Sequence, residues 1–155
     1  MRSHRPRILL LFSGGLDSIL AAKLLEEQGV QIVALFFKSY FFSSQTTKKM
    51  SASLKLKFRE EDISKSQLNV VKNPRYGYGS ALNPCIDCHL LMLKKAAQIM
   101  RKEKFDGVAT GEVLGERPMS QNRQALDLIE KEEGLKGLLI RPLSARLLEA
   151  SELEK

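Results

Sequence analysis

A run of small residues with one acid, Ser13-Gly14-Gly15-Leu16-Asp17-Ser18, follows directly on an apolar stretch at residues 8–12. Residues of these types at this spacing can hold a phosphate. Glycine lets the main chain turn sharply and approach a ligand closely. The segment after the turn, residues 19–28, carries apolar residues at helical spacing. The first N–H groups of such a helix lack internal partners and point beyond its start. Successive exposed N–H groups in a turn also form a concavity for anions. A structural alternative needs no ligand, with Asp17 or Ser18 simply capping the helix. The run has no lysine after its glycines, so it is not the G-x-x-x-x-G-K-[ST] loop, and it is not G-x-G-x-x-G. Asp17 beside a pyrophosphate would be repulsive alone, so a bridging Mg²⁺ is the natural physical solution.

A second group is Asn83-Pro84-Cys85-Ile86-Asp87-Cys88-His89, with two cysteines three apart ahead of a helical pattern. A helix N-terminus lowers thiol pKa and favours thiolate. Three uses stay open: a redox or persulfide-handling pair, part of a metal or iron–sulfur site, or two structural thiols. Zinc and iron–sulfur clusters take three or four protein ligands, so the pair alone is incomplete. His89 is a candidate ligand or a packed helix-start residue. The third group is Thr110-Gly111-Glu112-Val113-Leu114-Gly115, then Ser120-Gln121, then Arg141-Pro142-Leu143.

Strands and helices must position these groups. Residues 8–12 and 30–37 are continuous apolar runs, the pattern of strands covered on both faces. Gly29 between them fits a helix stop. Strand, helix, strand with short joints predicts a right-handed βαβ unit with parallel strands. Phe41-Phe42 ahead of Ser, Gln and Thr predicts a loop with an aromatic cluster, followed by a helix over 47–57 and a strand over 58–63. Residues 73–79 read as an exposed loop. Residues 88–102 predict a helix with Leu93, Ala96, Ala97 and Met100 on its apolar face. Lys94, Lys95, Gln98, Arg101 and Lys102 lie opposite, as a solvated face or a track for an RNA backbone. A strand over 107–110, a helix capped by Ser120 and running to about 132, and a strand over 138–140 complete the pattern. Strands alternating with helices predict an α/β fold, an open and mostly parallel sheet flanked by helices in three α/β/α layers. In such a sheet ligands bind beyond the carboxyl ends of strands. Ser13 and Gly111 both lie just past such ends.

The chain has 155 residues, 43% of them apolar and 28% charged, which suits one soluble globular domain. No apolar run is long enough to span a bilayer. Residues 8–12 are too short for a signal-peptide core, and two cysteines make no disulfide framework, so the expected compartment is the cytoplasm. A net charge of +7, from 25 basic against 18 acidic residues, favours a polyanionic partner.

The run S-G-G-x-D-S at residues 13–18 matches the signature of the PP-loop ATP pyrophosphatases. T-G-E-x-L-G, S-Q and R-P-L together resemble the PP-loop domain of the ThiI family of 4-thiouridine-forming tRNA sulfurtransferases. The resemblance covers nearly the whole chain and is weakest over 38–66. It implies a Rossmann-like sheet of the adenine nucleotide alpha-hydrolase type. It implies ATP contacts from Phe12, Ser13, Gly14, Gly15, Asp17 and Ser18, from Phe36 and Phe37, and from Gly111, Glu112, Gly115 and Gln121. It implies Mg²⁺ held at Asp17 through phosphate. Cys85 and Cys88 would handle sulfur or, as in some related enzymes, help hold an iron–sulfur cluster. The implied reaction is adenylation of a uridine carbonyl with release of pyrophosphate, after which sulfur replaces AMP. The implied partners are tRNA and a sulfur donor, either a cysteine desulfurase, a persulfide carrier or sulfide. The expected PP-loop domain is 1–145, and 146–155 is a polar tail opening a further segment. Two other uses of the same turn stay open: an adenylating ligase that admits ammonia, and an ATP-binding domain without turnover.

Overall fold

The computed structural model describes residues 4–76, 85–112, 127–128, 131, 134–135 and 137–144, apart from the side chain of Cys85. Gly115, Gln121, the helix capped by Ser120, residues 77–79 and the tail 146–155 lie outside the described residues.

The two apolar runs form β1 (Arg7–Leu11) and β2 (Gln31–Lys38), joined by helix α1 (Leu16–Glu27). Helix α2 (Gln45–Ser53) and strand β3 (Lys57–Asp62) follow. Then come helices α3 (Ser64–Lys72) and α4 (Cys85–Glu103) and strands β4 (Gly107–Ala109) and β5 (Leu139–Ile140). All pairings are parallel, in the order β3-β2-β1-β4-β5. The sheet is therefore the expected open, parallel, Rossmann-like one. β1 is its pivot. The chain runs outward to β2 and β3 on one side and returns to β4 and β5 on the other. A ligand crevice belongs outside the carboxyl ends of β1 and β4, where the direction of progression reverses.

Period-two alternation sends neighbouring β1 residues to opposite layers. Ile8 and Leu10 pack with Ala21, Ala22 and Leu25 of α1, while Leu9 packs with Leu93, Ala96, Ala97 and Met100 of α4. The predicted apolar face of α4 is thus the buried one. β3 is an edge strand, and its Lys57, Arg59, Glu60, Glu61 and Asp62 suit an edge that must resist pairing with other chains. No helix among the described residues is long and apolar enough to cross a membrane.

The structure departs from the sequence pattern in four places. α2 covers Gln45–Ser53, not 47–57. α1 begins at Leu16, not residue 19, with Gly15 as N-cap and no side-chain cap. Asp17 and Ser18 therefore lie inside the first turn, and neither caps the helix. α4 begins at Cys85, not residue 88, so both cysteines are in its first turn. The periodicity of a helix shows only where its face is buried, and these first turns lie at the sheet's rim. Helix α3 was not anticipated. Its start is fixed locally by Asp62, whose Oδ1 accepts the N–H of Ser64 at 2.9 Å and its hydroxyl at 2.6 Å. α1 ends as predicted. Gly29 adopts φ +77°, its N–H reaches the carbonyl of Glu26, and that of Val30 reaches Leu25. This left-handed stop closes the helix and turns the chain into β2.

Candidate active site

The turn after β1 is built for close approach. Gly14 has φ +81°, a conformation side-chained residues rarely adopt, and a β-carbon placed on it would lie 3.4 Å from the α-carbon of Thr47 in α2. The Thr47 hydroxyl donates to the carbonyl of Ser13 at 2.9 Å, which fixes the turn from outside. Thr47 was missed by sequence reading, because nothing local in 45–53 marks it as a partner of a residue 34 positions earlier. Ser13 Oγ accepts the Gly15 N–H at 3.3 Å, and the buried Ser18 hydroxyl donates to the Gly15 carbonyl at 2.9 Å. The two serine oxygens are 3.5 Å apart. With no side-chain cap, the first N–H groups of α1 remain oriented out of the helix, beside the half-buried Asp17.

Gly111, just past β4, closes the other side of this turn. A β-carbon placed on it would lie 2.8 Å from the carbonyl carbon of Asp17 and 2.9 Å from the Ser18 nitrogen. These are main-chain atoms of a helix and cannot step aside. Only glycine lets the exit of β4 rest against the first turn of α1. Gly111→Ala should therefore lower stability by about 1–3 kcal/mol through overpacking. It should also weaken binding at the turn, since relief requires α1 and β4 to separate. Thermal unfolding checks the first part; a variant with unchanged melting would refute it.

Glu112 sits next to Gly111 and is 4% exposed, and Arg141, past β5, is 5% exposed. Arg141 Nε donates to Glu112 Oε2 at 2.8 Å. His89 Nδ1 of α4 stands 3.2 Å from the other oxygen, an ion-pair distance without the alignment of a full hydrogen bond. The Thr110 hydroxyl donates to Oε2 at 3.2 Å, and the Ser144 hydroxyl donates to the Glu112 carbonyl at 3.0 Å. Burial alone would raise the carboxyl pKa. The close approach and charge of His89, with the charge and hydrogen bond of Arg141, outweigh it and bring it to about 2. The Glu112 side chain ties the exits of β4 and β5 to α4. His89 and Arg141 belong to the site through this carboxylate.

The rings of Phe12, Phe36 and Phe37 lie in the core, and Phe36 stacks on Phe58 with centroids 6.5 Å apart.

Cys85 and Cys88 stand on the first turn of α4, one residue from the His89 that meets Glu112. The turn 13–18, Gly111, Glu112, His89 and the cysteine turn form a continuous series of contacts along the sheet's carboxyl edge. Asp87, buried between the cysteines, accepts the N–H groups of Arg75 at 3.0 Å and Tyr76 at 2.9 Å. Gln67 of α3 is buried and directs its Nε2 at Cys88 Sγ, 3.9 Å away. This partner was also missed, since α3 itself was. Among the described residues no group of three or more His, Cys, Asp or Glu could hold a metal ion. Two thiols fall short of the three or four ligands of a cluster.

The family model described as thiamine biosynthesis protein (ThiI) matches residues 4–146. The chain belongs to the ThiI family. Among curated relatives, a probable tRNA sulfurtransferase of Finegoldia magna is 33% identical over 148 residues, 90% of this chain and 36% of that protein. A tRNA-specific 2-thiouridylase MnmA of Karelsulcia muelleri is 31% identical over 134 residues, 79% of this chain and 35% of that protein. The chain thus spans about a third of the length of these relatives. Among solved structures, a predicted subunit of tRNA methyltransferase from Methanocaldococcus jannaschii has a TM-score of 0.65 at 17% identity, covering 89% of this chain and 68% of that one. The U34-tRNA thiolase NcsA from Methanococcus maripaludis, solved with its [4Fe-4S] cluster, has a TM-score of 0.53 at 18% identity, covering 85% of this chain and 44% of that one. These two likenesses establish the ThiI domain's fold.

Proposed function

We propose that this ThiI-family domain activates a uridine carbonyl of tRNA with ATP so that sulfur can replace the oxygen. One observation carries the reading. Gly111 is pressed against the first turn of α1, so the S-G-G-x-D-S turn and the exit of β4 stand side by side at the switch in strand order.

In this reading the β- and γ-phosphates lie on residues 13–18, met by Ser13, Ser18 and the outward N–H groups of α1. A carbonyl oxygen is a poor leaving group. The uridine oxygen attacks the α-phosphorus, the bond to the β-phosphate breaks, and pyrophosphate leaves. The helix N-terminus stabilises the charge that develops on it. Mg²⁺ fits this donor set, because it is commonly held by one or two carboxylates together with substrate phosphates. Asp17 supplies that carboxylate, and the ion would neutralise phosphate charge there. Sulfide then attacks the base carbon, the carbon–oxygen bond breaks, and AMP leaves. Where the sulfur comes as a persulfide on one cysteine, the thiolate of the other breaks the S–S bond of the resulting adduct, releasing the thiocarbonyl and leaving a Cys85–Cys88 disulfide. Cys85 and Cys88 carry or position that sulfur, with the Gln67 amide steadying Cys88. Cys85 and Cys88 would otherwise supply two of the three or four ligands that an iron–sulfur cluster takes. Gly115 and Gln121 extend the nucleotide wall in this reading.

Nucleoside mass spectrometry tests the proposal. Incubation with tRNA, Mg-ATP and sulfide should yield a nucleoside in which one oxygen has become sulfur. Nitrogen in its place would assign the domain to the ammonia-using ligases instead, and unchanged nucleosides with intact ATP would sink the reaction altogether.

A further inference from the structure

Three aromatic rings stand in solvent on the loop between β2 and α2. Tyr40 is 69% exposed, Phe41 57% and Phe42 51%. Clustered exposed aromatics on a soluble domain mark an interaction surface. This loop is fixed. Ser39 is buried, its N–H donates to the Phe42 carbonyl at 3.3 Å, and its Oγ accepts the Phe41 N–H at 3.1 Å. The turn holds the rings outward along an open cleft of about 410 Å³ formed by residues 38–45. The loop leads straight into α2, where Thr47 braces the carbonyl of Ser13. The rings are therefore tethered beside the pyrophosphate turn.

Charge selects the occupant. From residue 38 to residue 58 the chain carries Lys38, Lys48, Lys49, Lys55 and Lys57 and not one acid. Lys38, Lys48 and Lys49 are exposed. Asp62 of β3 lies in register with Lys38 and partly offsets its charge, but an uncharged protein face would gain from the rings and not from the remaining lysines. A single-stranded polynucleotide uses both, because bases stack on aromatic faces and phosphates meet ammonium groups.

We propose that Tyr40, Phe41 and Phe42 form a stacking platform for unpaired bases of the RNA substrate, with Lys38, Lys48 and Lys49 tracking its backbone. The platform holds unstacked nucleotides next to the site where one of them is adenylated, and so favours loops or opened segments over duplex. It rests on the reading of the domain as an RNA-modifying enzyme.

The test is fluorescence anisotropy of the full chain with a labelled single-stranded oligouridylate and with a perfectly paired RNA duplex. Wild type should prefer the single strand. Alanine at Phe41 or Phe42 should each weaken single-strand binding by roughly tenfold. Phe41→Tyr and Phe42→Tyr should restore it. Lys48→Ala with Lys49→Ala should reduce the salt dependence, which the aromatic variants leave unchanged. Mg-ATP affinity and melting temperature should not move in the aromatic variants. Single-strand binding that survives the triple alanine variant would overturn the platform while leaving ATP chemistry standing. So would a wild type that binds no RNA, or aromatic variants that lose only a persulfide-donor protein. Absence of ATP turnover with RNA binding and its aromatic dependence intact would overturn the proposed reaction and leave the platform.

Discussion

Asp17→Asn should reduce pyrophosphate release from Mg-ATP by at least about a hundredfold while leaving the fold intact. The substitution keeps shape and removes charge. Asp17 stands in the first turn of α1, where an acid gains only about 0.3–1 kcal/mol from the helix dipole. Stability should therefore fall little. In the proposed reaction the catalytic loss is larger, because the carboxylate would hold a divalent ion against phosphate, a task that arises in full only as charge moves onto the leaving pyrophosphate. Sign separates this from a general loss of binding. With Mg²⁺ present, ATP affinity should drop modestly. With Mg²⁺ chelated, the variant should bind ATP as well as wild type or better, because a bare carboxylate repels phosphate. Pyrophosphate release and calorimetry read both arms, and equal turnover in the two proteins would remove Asp17 from the mechanism.

Arg141→Met should be the most destabilising change among the residues tied to the site. Methionine keeps most of the volume but leaves the Glu112 carboxylate buried with one partner fewer. Breaking a buried pair from one side costs about 3–5 kcal/mol. Replacing both ends, as Glu112→Leu with Arg141→Met, should recover much of that loss, since no charge is then stranded. The same carboxylate sets an acid response. Its folded pKa is lowered from 4.5 to about 2, so its contribution is complete above pH 4.5 and fades as pH falls toward 2. That contribution is worth roughly 3 kcal/mol. In Arg141→Met the fading should be shallower, because Glu112 is no longer held so far down. Denaturant unfolding across that pH range decides it. A single variant as stable as wild type, or a double variant worse than the single, would show that the pair does not hold the exits of β4 and β5 together.

The centre of the sheet was legible because β1 and β2 are apolar on both faces and stood out as continuous runs. The turn 13–18 was legible because glycine and serine there serve geometry that few residues tolerate. What escaped was contact between distant segments. Nothing near Thr47 announces that its hydroxyl holds Ser13, and nothing near His89 announces Glu112. Both depend on which strands become neighbours. Glu112 itself was visible as a polar residue in a glycine turn, the place where a ligand contact is expected, and only the structure shows its charge answered by Arg141. The aromatic rings before α2 were visible as a cluster, but their exposure was not. Helix α3 was hidden because its nine residues carry one buried side chain, that of Gln67, too few to write a period.

The account stands on the crevice between residues 13–18 and Gly111 as the seat of a triphosphate. Calorimetric titration of the full chain with Mg-ATP, Mg-ADP and AMP addresses it directly. The predicted result is saturable binding that weakens with each phosphate removed and is lost in Gly14→Val, whose left-handed backbone a branched side chain cannot adopt without strain. Equal affinity for ATP and AMP, or no association with any of the three, would contradict it.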